Sequence, residues 1–102
     1  MKTQTCLGVL LIMVGTAHAA ETGNSLLKFA NTSVPYEQGY YLGYVVAVIE
    51  SNALKVCLPN GVTLGQSAQV VKKYLGEHPE RLHRWADEIV LEAVTAAWPC
   101  RK

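Results

Sequence analysis

The chain has 102 residues, half of them hydrophobic, 17% charged and only 8% aromatic. That length accommodates one domain. Nine basic against eight acidic side chains leave a net charge of +1, which argues against a strongly basic nucleic-acid binder and against a polyacidic disordered tail.

Much of the hydrophobicity sits in the first twenty residues, which have the form of a secretory signal. Lys2 supplies a short positive start, residues 7–14 (LGVLLIMV) a compact apolar run, and Ala17-His18-Ala19 the small residues that a signal peptidase reads. The alternative, a membrane anchor, fails on length, because an apolar stretch of about ten residues cannot span roughly 30 Å of hydrocarbon. Cys6 precedes the apolar run, so it is not placed as the acylated cysteine of a lipoprotein. Cleavage is expected between Ala19 and Ala20. The expectation is a signal over 1–19 and a soluble, exported domain over 20–102 with no membrane anchor.

Cleavage removes Lys2, His18 and Cys6 and leaves 83 residues with eight basic and eight acidic side chains. Two cysteines remain, Cys57 and Cys100, and an even count in a small exported domain reads as a disulfide. Two free thiols are the alternative. The bridge would close a loop of about 44 residues, for which chain entropy gives roughly 4 kcal/mol. A domain of this size buries only about 60–65% of its unfolded surface, so a contribution of that order matters.

Along the exported chain, residues 25–31 (SLLKFAN) predict a short helix with Ser25 as N-cap. Residues 31–35 break it. The run YEQGYYLGYVVAVIESN from Tyr36 contains four β-branched residues, but seventeen positions without a turn signal favour a helix over a strand. Gly39, Gly43 and Ala47 recur every four positions on one face of it, and Tyr36, Tyr40 and Tyr44 form a second stripe. Both are candidates for helix packing or a dimer contact, with a binding face as the alternative for the tyrosines. Residues 52–61 form a linker that carries Cys57 and ends in the turn Pro59-Asn60-Gly61. Thr63 caps a helix over 64–77 with Leu64, Ala68, Val71 and Leu75 as its core stripe. A last helix is predicted from Pro79, suited to a first helical position, to Trp98, burying Leu82, Trp85 or Ala86, Ile89, Ala93 and Ala96 or Ala97. Pro99 stops it, and Cys100 reaches back toward Cys57. The fold class is all-α: a small bundle of three main helices, a short amino-terminal one and one disulfide.

Catalytic signals are sparse. None of Ser25, Ser33, Ser51 and Ser67 lies in a G-x-S-x-G context, and both exported cysteines are better used in a bridge than as nucleophiles. His83 and Asp87 would share a face of the last helix, with His78 and Glu80 nearby, but no third metal ligand follows at suitable spacing. A polar helix surface is the better reading. Glu88 and Glu92, also four apart, read as a solvated pair. No glycine loop that cradles phosphate is present, because G-Y-Y-L-G falls inside a predicted helix. No catalytic residue, metal or cofactor is expected, and the residues read as those of a binding protein.

The second half of the chain carries a recognisable pattern: G-Y-V-V-A-V, then C-L-P-N-G-V-T-L-G-Q, then V-V-K-K-Y-L-G-E-H-P-E, and finally A-A-W-P-C. In this order it resembles the Tai/Rap family of type VI secretion immunity proteins over about residues 36–100. The resemblance implies a small helical periplasmic protein, often dimeric, with a bridge matching Cys57 to Cys100. It also implies a protein partner, a peptidoglycan-cleaving amidase effector that the immunity protein neutralises. One feature departs from the family. Many relatives carry a second cysteine pair, and the corresponding stretches 28–31 and 37–40 have none, so the amino-terminal helix is expected to be held by packing alone.

Two functions follow as expectations. The first is a non-catalytic inhibitor that blocks the amidase cleft. The second is a periplasmic structural or stress-related binding module without a toxin partner. For the first, the turn over 76–84 is the expected contact surface, with Glu77, His78, Glu80, Arg81 and Arg84 as its polar residues and Pro79 stiffening it. A homodimer is expected through the tyrosine and small-residue stripes, because a self-complementary patch on one helix suits a twofold interface.

Overall fold

The computed structural model describes residues 21–101; the expected signal over 1–19, with Cys6, lies outside the described residues. Four helices follow in order: α1 (Gly23–Ala30), α2 (Pro35–Ser51), α3 (Leu64–Glu77) and α4 (Ala86–Ala97), with a single 3-10 turn at Pro79–Arg81 ahead of α4. Each helix packs against the other three, so the all-α bundle shares one core. No helix among the described residues is long and apolar enough to cross a membrane.

Local chemistry accounts for most of the helix starts. Pro35 stands in the first turn of α2, where no intrahelical N–H bond is needed. The Thr32 hydroxyl organises the turn before it, accepting from the Val34 N–H at 3.1 Å and donating to Glu37 at 2.6 Å. α2 buries Tyr41, Val45, Val48 and Ile49, which lie on one helical stripe. Burial against three neighbouring helices outweighs the weak helix propensity of the valine-rich run. Gly61 takes a positive φ of 91° in the turn before α3, a conformation that glycine adopts without a steric penalty. Thr63 then caps α3 by accepting the Gln66 N–H at 3.0 Å. Leu64, expected to begin the core stripe, is exposed, and the buried set runs Ser67, Ala68, Val71 and Leu75. Cys57 and Cys100 are bridged, with their Cα atoms 5.2 Å apart. The bridge ties the end of the chain to the α2–α3 connection.

Two helix starts differ from expectation. The last helix is not continuous from Pro79. It breaks after the 3-10 turn, Trp85 is extended (φ −66°, ψ 138°), and α4 begins at Ala86. Trp85 is therefore 49% exposed and Ala86 is the buried residue, while Ala96 and Ala97 are exposed. The break is occupied by the amino-terminal segment, which pairs with it in an isolated antiparallel β-bridge between Thr22 and Trp85. Gly23 N–H donates to the Arg84 carbonyl at 3.0 Å, Asn24 N–H to the Leu82 carbonyl at 2.9 Å, and Ala86 N–H to the Glu21 carbonyl at 2.8 Å. Packing alone does not hold α1. Its N-cap is Thr22, three residues ahead of the expected Ser25, which is instead the reciprocal member of a capping box.

Candidate partner-binding site

The 76–84 turn joins the two helices whose carboxy- and amino-terminal ends face it. α3 ends as His78 leaves helical geometry, and Pro79 supports the following 3-10 turn, closed by Arg81 N–H to the His78 carbonyl at 2.9 Å. Arg84 N–H then donates to the Arg81 carbonyl at 3.1 Å. The turn is therefore a hydrogen-bonded structure in its own right.

Glu92 on α4 gathers the side chains beneath it. Its Oε1 accepts from Arg81 Nη1 at 2.7 Å and from the Tyr74 hydroxyl at 3.2 Å, and its Oε2 accepts from Arg84 Nη1 at 2.6 Å. Arg84 Nη2 also reaches Glu88 at 3.1 Å. Partial burial alone would push the Glu92 carboxyl up. The Arg84 hydrogen bond and charge, with help from Tyr74 and Arg81, outweigh that and hold it below the usual carboxylate range. The Tyr74 ring in turn stacks on His78, with centroids 3.9 Å apart, and His78 Nδ1 lies 2.9 Å from the Tyr74 carbonyl.

The five residues expected at the surface thus divide. Arg81 and Arg84 converge on Glu92, and His78 lies half-buried against Tyr74. Glu77 and Glu80 point outward with side chains 57% and 65% exposed, Glu77 opposite Lys73 at 4.0 Å and Glu80 opposite Arg81 at 3.7 Å. His83 is exposed in the turn and shares no helix with Asp87. No three His, Cys, Asp or Glu side chains among the described residues are placed to hold a metal ion.

Glu92 and Tyr74 are the site residues that sequence reasoning missed. The spacing of Glu88 and Glu92 was visible, but an i,i+4 carboxylate pair gives no sign of arginines folding back from the preceding turn. The expected dimer or packing face behaves differently. Gly39, Gly43 and Ala47 are exposed, and a Cβ built on either glycine meets nothing within 4 Å. Tyr36 is 83% exposed, whereas Tyr40 and Tyr44 touch within the chain, Tyr40 also packing on Phe29. Among the described residues, Gly39 and Gly43 therefore lie on an open stretch of the α2 surface.

Comparison with curated proteins and with solved structures gives no match. Residues 22–100 match the family model of the Rap1a immunity proteins. The matched span takes in the capping box, the bundle, the 76–84 turn and both bridged cysteines, and the chain belongs to the Rap1a immunity protein family.

Proposed function

We propose that the protein is a periplasmic immunity protein that binds and inhibits a type VI secretion peptidoglycan amidase, so protecting the cell that makes both. The family match over 22–100 carries this reading. The geometry supports it through the 76–84 turn, whose backbone is hydrogen-bonded and whose arginines are clamped from below. A preordered segment loses little conformational entropy on entering an enzyme cleft, so more of its contact energy appears as affinity. Glu77 and Glu80 are the outward groups, suited to the basic or polar lining of a cleft that accepts an anionic, peptide-bearing wall polymer. The inhibitor contributes no chemical step; it occupies the cleft and excludes the substrate.

The same reading makes the protein a homodimer through the exposed face of α2. Tyr36, Gly39, Gly43 and Ala47 are exposed, and glycines on an outer helix face let a second helix approach closely.

The test pairs the purified protein with the wall hydrolase encoded beside it and follows wall cleavage. Stoichiometric inhibition is expected, and Glu77→Lys with Glu80→Lys should weaken it while leaving the far-UV spectrum intact. An unaffected hydrolase overturns the proposal and leaves a periplasmic structural or stress-related binding module without a toxin partner.

A further inference from the structure

The bend between the 3-10 turn and α4 has no local cause. From Glu80 to Trp98 there is neither proline nor glycine, and Arg81-Leu82-His83-Arg84 would extend α4 backward without a steric obstacle. In a continuous helix, Ala86 N–H would bond to the Leu82 carbonyl and Glu88 N–H to the Arg84 carbonyl. Here the Leu82 carbonyl takes the Asn24 N–H, the Arg84 carbonyl takes the Gly23 N–H, and Ala86 N–H donates to the Glu21 carbonyl. Glu88 N–H is left to the Asp87 side chain at 2.9 Å. Segment 21–24 thus engages three of the backbone groups through which the helix would otherwise close, the Leu82 and Arg84 carbonyls and the Ala86 N–H.

We infer that segment 21–24 is a conformational latch: with it seated, residues 82–85 are bent and the 76–84 surface is formed, and with it displaced they join α4 as helix. The second state dismantles the Glu92 clamp. On a continuous helix Arg81 and Glu92 would be separated by about 16 Å along the axis, and Arg84 and Glu92 by about 12 Å, beyond pairing distance. Only Arg84 with Glu88, four residues apart, would persist. The latch depends on a close approach that glycine alone permits. A Cβ at position 23 would lie 2.6 Å from Ile89 Cδ1 and 2.9 Å from Leu82 Cα, the latter being backbone. The segment is also fastened by its own side chains, since the Glu21 carboxylate accepts from Ser25 Oγ at 2.5 Å and from the Tyr40 hydroxyl at 2.7 Å.

That the latch controls partner binding rests on the function proposed above; that it controls the bend does not, and the experiment reads the two separately. Gly23→Val in the 20–102 chain is examined by backbone NMR for conformation and by amidase inhibition for binding. Helical Cα shifts at 82–85, with the shifts of α2 and α3 unchanged, are expected, and inhibition should weaken by about tenfold or more. If Gly23→Val does not fold, Gly23→Ala with Ile89→Val, which removes the nearer clash, takes its place with the same expected shifts. A folded variant whose residues 82–85 keep the parent shifts overturns the latch. Helical shifts with undiminished inhibition uphold the latch and reject the turn as the inhibitory surface.

Discussion

The Tyr41 hydroxyl donates to the Ala68 backbone carbonyl at 2.5 Å, joining α2 to α3 through the core. Tyr41 is the only tyrosine of the four on α2 that is buried, and burial pushes its hydroxyl well above its ordinary pKa. Tyr41→Phe keeps the ring and loses the hydrogen bond, so it should destabilise the domain by about 1 kcal/mol. Tyr41→Ala also opens a cavity and should cost about 3–5 kcal/mol. Urea denaturation of the two variants checks the ordering; equal losses would mean that the hydroxyl, not the ring, dominates.

Glu92 links stability to acid. Its carboxyl titrates below the usual value of 4.5 in the folded chain, so its contribution is full above that value and is lost as pH falls through the lowered native one. Glu92→Gln should remove about 1–2 kcal/mol at neutral pH and flatten that part of the acid limb. Stability measured across that range by denaturant titration decides it. A variant with the parent's acid slope would show that the clamp carries no net charge interaction.

Tyr40 links stability to alkali. The hydrogen bond to Glu21, followed by burial and the Glu21 charge, raises its pKa from 10.0 to about 12. A raised pKa means that the contribution is full below pH 10 and disappears between pH 10 and about 12 as the hydroxyl ionises beside a carboxylate. Tyr40→Phe should therefore lose stability less steeply than the parent over that window. Thermal melts at stepped alkaline pH provide the measurement.

The open face of α2 separates folding from assembly. Nothing lies within 4 Å of a Cβ at Gly39 or Gly43, so alanine at either should stabilise the monomer by about 0.5–1 kcal/mol through helix propensity. Gly43→Leu should leave the monomer folded and dissociate a dimer that packs there. Light scattering at micromolar concentration, beside a melting curve, tests both; a dimer unaffected by Gly43→Leu moves the interface elsewhere.

Much of the bundle was legible in residues close together in sequence. Thr63 before an apolar-periodic stretch and Pro59-Asn60-Gly61 at a turn act over a few positions, and each works as local chemistry predicts. The contact surface was legible as a place but not as an arrangement. Arg81 and Arg84 were read as outward charges, yet their partner stands on the next helix, and which way a long side chain turns depends on what lies within reach once the helices have packed.

By itself, the sequence determined the helical class, the pairing of Cys57 with Cys100 and the family, because periodicity, caps and an even cysteine count survive in one dimension. Only the tertiary structure decided where the last helix begins. Nothing in residues 82–86 breaks a helix, and the hydrogen bonds that bend them come from Glu21, Gly23 and Asn24 at the opposite end of the chain. Helix propensity is worth tenths of a kcal/mol per residue, and three backbone hydrogen bonds in a partly buried junction, with α1 docked behind them, exceed it. The same competition placed Gly23 against Leu82 and Ile89, an approach that becomes visible only once both ends of the chain have met.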